Sequence, residues 1–188
     1  MKDLFVPAEL SIEAFAGKAS QPGNLFKFPF SLFAVLIAAV PLGIARMAIS
    51  AFVELAKAKK PTGSSSLLSE RQSAQLAVAR AEALLCSGRA FLFEALREMD
   101  DEIDTRAEVG IKSRAALRLA CTQAAMNAGQ AVDLMFEAGG ATSVYTSSSL
   151  ERCFRDVHVA MQHIAVSSTS LELAGRVILG LEPGTARF

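Results

Sequence analysis

The sequence lacks tryptophan altogether and has a single tyrosine among its 188 residues. It also lacks an excess of charge of either sign, because 19 lysines and arginines balance 19 aspartates and glutamates. A nucleic-acid-binding protein needs a basic surface to displace the counterions of the phosphates, so this balance argues against that class. With 52% apolar residues the chain is too hydrophobic for charge-driven disorder, and its length suits one domain.

Cysteine is scarce, and its spacing carries no metal motif. Cys86, Cys121 and Cys153 are far apart and odd in number, and no Cys-x-x-Cys pair is present. This pattern favours neither a zinc site nor a disulfide framework, so no metal site is predicted. We expect buried, reduced thiols in a cytoplasmic protein.

A long hydrophobic run occurs once, at residues 30–45. Spanning a membrane takes about 20 apolar residues, whereas this run is shorter, contains Pro41 and is followed by Arg46. We therefore expect a core helix rather than a membrane span, and the N-terminus lacks the apolar stretch of a signal peptide. The mean hydropathy of +0.34 predicts that other copies of the chain cover part of the apolar surface.

Alanine and leucine dominate, and apolar residues recur at the spacing of helices. The fold class is therefore predicted to be all-α, and an antiparallel four-helix bundle is the simplest architecture. The four helices are predicted at residues 31–60, 68–105, 112–138 and 150–173. The predicted domain organisation is a lead-in over 1–29, a bundle over 30–175 and a C-terminal tail over 176–188.

The last predicted helix carries the residues with chemical potential. At about 100° per residue, Arg152, Asp156 and His163 share one face of a continuous helix. Arg152 and Asp156 are four residues apart, so they can form an ion pair. His158 points in a different direction from His163, which argues against a shared metal. Spacing alone leaves His163 open to two interpretations, a structural histidine or a general acid or base.

The sequence has no nucleophile elbow, phosphate-binding loop, dinucleotide fingerprint or His-Glu-x-x-His motif. The pair Gly139-Gly140 is by itself more typical of the end of a helix than of a ligand cradle. Ser149 is expected to cap the last helix.

Three segments, in the same order along the chain, resemble the acyl-CoA dehydrogenase superfamily. LFVPAEL (4–10) is similar to the stretch that leads from the middle β domain into the C-terminal helical domain. SERQSAQLAVARAE (69–82) resembles the F-Q-x-x-Q helix, with Gln72 and Gln75 at the glutamine positions. GGATSVYTSSSLERCFRDVHVAMQHIAV (139–166) resembles the closing Gly-Gly turn and R-x-x-R-D helix. The resemblance implies a C-terminal helical domain without the N-terminal helical and β domains of a full family member.

The sequence also departs from the dehydrogenases of this superfamily. Ile164 falls at the position of their glutamate base, and isoleucine cannot accept a proton. Phe136 and Pro61 fall where the family has a glutamine and an arginine. His163, eight residues after the R-D arginine, instead resembles a histidine of the flavin-dependent monooxygenase branch.

The resemblance to that branch implies a two-component hydroxylase. Such an enzyme takes reduced flavin, FMN or FAD, from a separate flavin reductase and hydroxylates a small aromatic, steroid-derived or sulfur-containing molecule. His163 would be catalytic, orienting or deprotonating the substrate or supporting the flavin. Gly139, Gly140, Arg152 and Arg155 would be cofactor-binding. The domain would supply a wall of the flavin pocket and an interface for a dimer or tetramer, and this chain alone would not retain flavin.

Two other functions stay open at the level of sequence. One is an FAD-dependent acyl-CoA dehydrogenase whose base lies on another helix, with Glu94, Glu98 and Glu137 as candidates. The other is a helical oligomerisation module without chemistry.

Overall fold

A computed structural model describes residues 4–11, 21–106 and 108–185 of the chain. Over these ranges the secondary structure is helical and contains no strand, which confirms the predicted all-α class. The helices are α1 (Phe33–Ala58), α2 (Gln72–Thr105), α3 (Ile111–Gly139), α4 (Ser149–Ala160) and α5 (Thr169–Ile178).

Helix α3 is the centre of the bundle and packs against α1, α2, α4 and α5. Its sequence is rich in small residues, so neighbouring backbones can approach it from several directions. Ala120, Ala124 and Ala128 are fully buried, and so are the larger Val132 and Met135. A helix that is apolar on most of its circumference belongs in the interior of a fold, as observed here.

Helix α2 contributes the apolar stripe that its sequence predicts. The buried positions of this stripe include Ala81, Leu85, Gly88, Leu92, Met99 and Ile103. At Gly88 the two helices are so close that an added Cβ would lie 3.1 Å from the Cα of Ala124. Asn127 fixes the same crossing, because its amide nitrogen donates to Leu84 O at 3.2 Å and to Ser87 Oγ at 3.1 Å.

Helix α1 packs against α2, α3 and α4, as expected of a core helix. Pro41 lies inside it and is buried. The segment Phe30–Ala58, which includes the turn before α1, is nevertheless long and apolar enough to cross a membrane. An 18-residue window of this segment has a mean hydropathy of 2.2, and 39% of that window is buried. The burial reflects the face that Ala45, Ile49 and Phe52 turn toward the bundle.

The fourth predicted helix is not continuous, so the expected helix over 150–173 is wrong. Helix α4 ends at Ala160, a short 3₁₀ turn covers Ile164–Val166, and α5 begins at Thr169. Both pieces pack on α3 and jointly complete the bundle. Ser148, rather than the expected Ser149, caps α4, because its Oγ accepts from the backbone N–H of Leu150 at 3.2 Å.

The expectation for the cysteines is correct at two positions of three. Cys121 and Cys153 are buried, whereas Cys86 is exposed, so its predicted burial is wrong. Position 86 lies on the outer face of α2, where its Sγ is 3.5 Å from Glu82 Oε1. Burial raises the pKa of the Cys121 thiol to about 12 and also raises that of Cys153.

The boundaries of the lead-in, bundle and tail stay predictions. Residues 1–3 and 12–20 of the predicted lead-in and residues 186–188 of the tail lie outside the described residues.

Candidate functional site

The break between α4 and α5 arises where side chains replace helical hydrogen bonds. His163 Nδ1 accepts from the backbone N–H of Ala165 at 3.1 Å, and Ser167 Oγ donates to Ile164 O at 3.2 Å. Such local side-chain bonds offer the backbone an alternative to the helix. The side chain of Met161 lies over Gly129 of α3, where an added Cβ would be only 2.5 Å from its Sδ. The end of α4 is therefore fixed against the central helix.

The break changes the surroundings that the sequence predicts for His163. This residue precedes the 3₁₀ turn and does not share a helix face with Arg152 and Asp156. Its ring is exposed, and Nε2 has no hydrogen-bond partner among the residues that the structure describes. Because Nδ1 accepts a hydrogen bond, the proton of the neutral ring is on Nε2. His163 thus presents an N–H donor.

His163 borders a cavity of about 690 Å³ between the start of α1, the N-terminal part of α3 and the α4–α5 break. Most of the wall is apolar: Phe30, Phe33, Ala34, Leu36, Ile37, Ile164, Ala165 and Leu173. The polar lining consists of Ser31, Arg118, Thr169, Ser170 and Thr185 in addition to His163. An apolar cavity with a few polar groups is the usual form of a small-molecule site.

The sequence analysis missed Arg118 and Ser31. Arg118 lies within an Ala- and Leu-rich stretch of α3, and its Nη2 donates to Ser170 Oγ at 2.7 Å. Its Nε and the Oγ of Ser31 are shielded from solvent and lack hydrogen-bond partners among the residues that the structure describes. The available signal was a single arginine in an otherwise apolar run of a central helix.

The predicted cofactor residues Gly139 and Gly140 lie at the other end of α3. Gly140 ends the helix with φ +59°, a conformation that favours glycine. Gly139 is required by space, since an added Cβ would lie 2.2 Å from Ser143 Oγ. Lys59 Nζ donates to Gly139 O at 2.8 Å and to Thr142 Oγ1 at 2.7 Å. These contacts place a cation at the negative end of the α3 dipole.

Arg152 and Arg155 lie on the solvent face of α4. Arg152 Nε is 3.5 Å from Asp156 Oδ2, so the predicted ion pair is present. Arg155 Nη2 is 3.9 Å from Glu151 Oε2, and Arg155 Nε is 3.7 Å from Asp156 Oδ1. Neither arginine lines the cavity beside His163.

The second histidine, His158, is held by contacts within the bundle. His158 Nε2 is 2.9 Å from Asp133 Oδ1, and the ring packs edge-on against Phe154 at 4.6 Å between centroids. The two histidines therefore have separate surroundings. Across the described ranges, no group of three or more His, Cys, Asp or Glu residues could hold a metal ion.

The carboxylates considered for a dehydrogenase base lie away from the cavity. Glu94, Glu98 and Glu137 are exposed and do not line it, whereas Ile164 does. The cavity therefore has no carboxylate from these candidates with which to remove a substrate proton.

The arrangement of helices and the sequence define one family. The chain belongs to the family of acyl-CoA dehydrogenase C-terminal domains, whose sequence model matches residues 35–168. Indole-3-acetate monooxygenase of Pseudomonas putida is 31% identical over 168 residues, which are 89% of this chain and 43% of that protein.

Solved structures show the same fold. The 3-HSA hydroxylase from Rhodococcus sp. RHA1 matches with a TM-score of 0.88 and 21% identity, over 100% of this chain and 51% of that one. XiaF from Streptomyces sp., in complex with FADH2 and glycerol, matches with a TM-score of 0.81 and 23% identity, over 96% and 46%. The chain thus spans about half the length of the proteins it matches.

Proposed function

We propose that this chain is the C-terminal helical domain of a reduced-flavin-dependent monooxygenase that hydroxylates a small aromatic molecule. The observation that carries the proposal is the pair His163–Ile164, which presents an N–H donor and an apolar side chain to one cavity. The similarity to an indole-3-acetate monooxygenase supports the same reaction class.

The lining of the cavity fits a flavin or an aromatic substrate beside it. Its Phe33, Ile37 and Leu173 walls suit a flat apolar ring, and His163 offers a donor at the rim. A reduced flavin, either FMN or FAD, would supply the activation of oxygen. The FADH2 bound to the XiaF relative supports a flavin cofactor.

His163 is proposed to orient an oxygen atom of the substrate or flavin by donating from Nε2. The backbone N–H of Ala165 holds the proton away from Nδ1. Acting as a base through Nε2 would require the neutral ring to move its proton to Nδ1 and lose that bond. Donation is therefore favoured over deprotonation.

Replacing His163 in the full-length protein separates these roles. With a reduced-flavin source and candidate phenols or indoles, His163→Ala should lower the hydroxylation rate about a hundredfold, the usual cost of removing one hydrogen-bond donor to a reacting oxygen. His163→Gln, whose amide can donate from a similar position, should retain activity within about tenfold. His158→Gln is the matched control and should hydroxylate normally. If His163→Ala hydroxylates at the rate of the unsubstituted protein, the assignment is wrong.

Gly139, Gly140, Arg152 and Arg155 stay predicted flavin contacts. The stretch of α3 from Arg118 to Gly139 rises about 30 Å at about 1.5 Å per residue. We propose that Gly139 and Gly140 approach the flavin of a neighbouring subunit in a dimer or tetramer, rather than the flavin beside His163. Arg152 and Arg155 lie on α4, and their flavin contact rests on the resemblance alone.

The remaining partners follow from this assignment. A separate flavin reductase would deliver the reduced flavin, and the protein would work in the cytoplasm without nucleic acid or membrane. We expect the 188-residue chain alone to retain no flavin, which equilibrium dialysis against FMN and FAD would measure.

A further inference from the structure

Arg118 holds a positive charge that the described residues do not neutralise. Its Nη2 donates to a neutral partner, Ser170 Oγ, and its Nε is buried without a hydrogen-bond partner. None of its recorded contacts is with a carboxylate. Burial lowers the pKa of the guanidinium, yet an arginine stays charged at neutral pH.

Ser31 provides a second, independent observation at the same cavity. Its side chain belongs to the turn before α1 and is 4% exposed. Its Oγ has no hydrogen-bond partner within residues 4–11, 21–106 and 108–185, although buried hydroxyls are normally hydrogen-bonded. Arg118 and Ser31 both line the cavity that His163 borders. Two donors from separate parts of the chain therefore line one cavity, and neither Arg118 Nε nor Ser31 Oγ has an acceptor among the described residues.

A ligand with an anionic group would satisfy both donors. A partly buried charge without a counter-ion is costly, and an anion within reach of the guanidinium lowers that cost. The planar guanidinium matches the two oxygens of a carboxylate, and the serine hydroxyl can donate to one of them. Next to these donors, Phe33, Ile37 and Leu173 offer an apolar wall for the remainder of the ligand.

We propose that Arg118 and Ser31 form a subsite that anchors the carboxylate of the substrate, so that the substrate class is a small aromatic carboxylic acid. The inference rests on the proposed function in taking the ligand of this cavity to be the substrate. Bound at its carboxylate in this way, the ring of the acid would extend along the apolar wall toward His163.

The test compares an acid with its neutral amide. Phenylacetate and phenylacetamide are titrated by calorimetry into full-length protein, into Arg118→Met and into Ser31→Ala. The unsubstituted protein should bind the acid at least tenfold more tightly than the amide. Arg118→Met should abolish that preference while changing amide affinity less than twofold, and Ser31→Ala should weaken acid binding severalfold. Arg97→Met removes an exposed arginine of α2 and should change neither affinity.

Folding of the variants is checked by urea denaturation. Arg118→Met exchanges a partly buried charge for an apolar side chain, and Ser31→Ala removes a hydroxyl without a partner among the described residues, so neither should lower the midpoint. Equal affinity for acid and amide, or an acid preference that survives Arg118→Met, overturns the proposal. The proposal is also overturned if FMN or inorganic phosphate displaces phenylacetate and this displacement is lost in Arg118→Met. That result would assign the subsite to a phosphate. Binding is measured without turnover. A protein that binds the acid through Arg118 but does not hydroxylate it would therefore contradict the proposed function and leave the carboxylate subsite standing.

Discussion

The two ends of helix α3 use their cations differently. At the C-terminal end, Lys59 donates to Gly139 O and Thr142 Oγ1, so its charge serves the fold. Toward the N-terminal end, the guanidinium of Arg118 donates to Ser170, and its Nε has no partner in the described part of the chain. The same holds for Ser143 Oγ at the Gly139 end, but a neutral hydroxyl costs less to bury than a charge. The difference supports the proposal that the Arg118 end anchors the substrate, whereas Lys59 holds the Gly139 end in the bundle.

Crowding at the Gly139 end gives the largest expected effect on stability. The substitution Gly139→Ala would place a Cβ 2.2 Å from Ser143 Oγ and 2.8 Å from Leu150 Cδ1. Overpacking of this kind costs about 2–3 kcal/mol, which urea denaturation measures. The matched control is Gly43→Ala in α1, where nothing lies within 4 Å. This control should stabilise the protein by about 0.5–1 kcal/mol, and equal effects at both positions would contradict the comparison.

Removing the cation at the same end should cost less. Lys59→Met loses two hydrogen bonds and the favourable charge at the end of α3, for about 1–2 kcal/mol of unfolding free energy. The control Lys57→Met removes a lysine that pairs with Glu54 on the surface, and it should change stability by less than about 0.5 kcal/mol. Equal urea midpoints for the two variants would show that Lys59 stabilises the fold no more than a surface lysine does.

Cys121 reports on the Arg118 end, because it lies on the next turn of α3. Burial raises the pKa of its thiol to about 12, so the unfolded chain ionises first as the pH rises. Stability should therefore be intact below about pH 8.5 and fall above it by up to about 1.4 kcal/mol per pH unit. Urea midpoints between pH 7 and pH 10 measure the fall, which Cys121→Ala should reduce.

The same burial predicts which thiol reacts in the folded protein. At pH 8 a thiol reagent should label the exposed Cys86 and leave Cys121 and Cys153 unmodified until urea is added. Rapid labelling of Cys121 in the native state would show that the Arg118 end of α3 is open to solvent.

The smallest effect is expected on the surface of α4. Arg152→Ala breaks an exposed ion pair with Asp156, so the unfolding free energy should change by less than about 0.5 kcal/mol. A loss above about 1 kcal/mol in urea denaturation would mean that Arg152 supports the fold.

The bundle was predictable because its helices bury stripes at regular spacing. Leu85, Leu92 and Met99 step along α2 at helical intervals and are all buried. The break after Ala160 was not predictable from the same spacing, because the apolar pattern continues past it. It depends on side-chain bonds of His163 and Ser167 to nearby backbone, for which the run of serines after residue 166 was the available signal.

The candidate site was predictable only in part. The resemblance to the monooxygenase branch singled out His163, but its proposed donor role depends on the N–H of Ala165. Arg118 and Ser31 lie far from it in sequence and meet it at one cavity only after the chain folds. Unpaired buried donors are a property of tertiary structure, so the sequence could not identify the proposed carboxylate subsite.

The contrast between the two histidines can be measured by NMR on ¹⁵N-histidine-labelled protein, since the chain has only His158 and His163. The structure predicts a His163 ring with its proton on Nε2 and signals that shift when phenylacetate is added. His158, held by Asp133, should stay unchanged. A His163 proton on Nδ1 would contradict the proposed donor role of this ring, and a shift of His158 without one of His163 would contradict the assignment of this cavity as the ligand site.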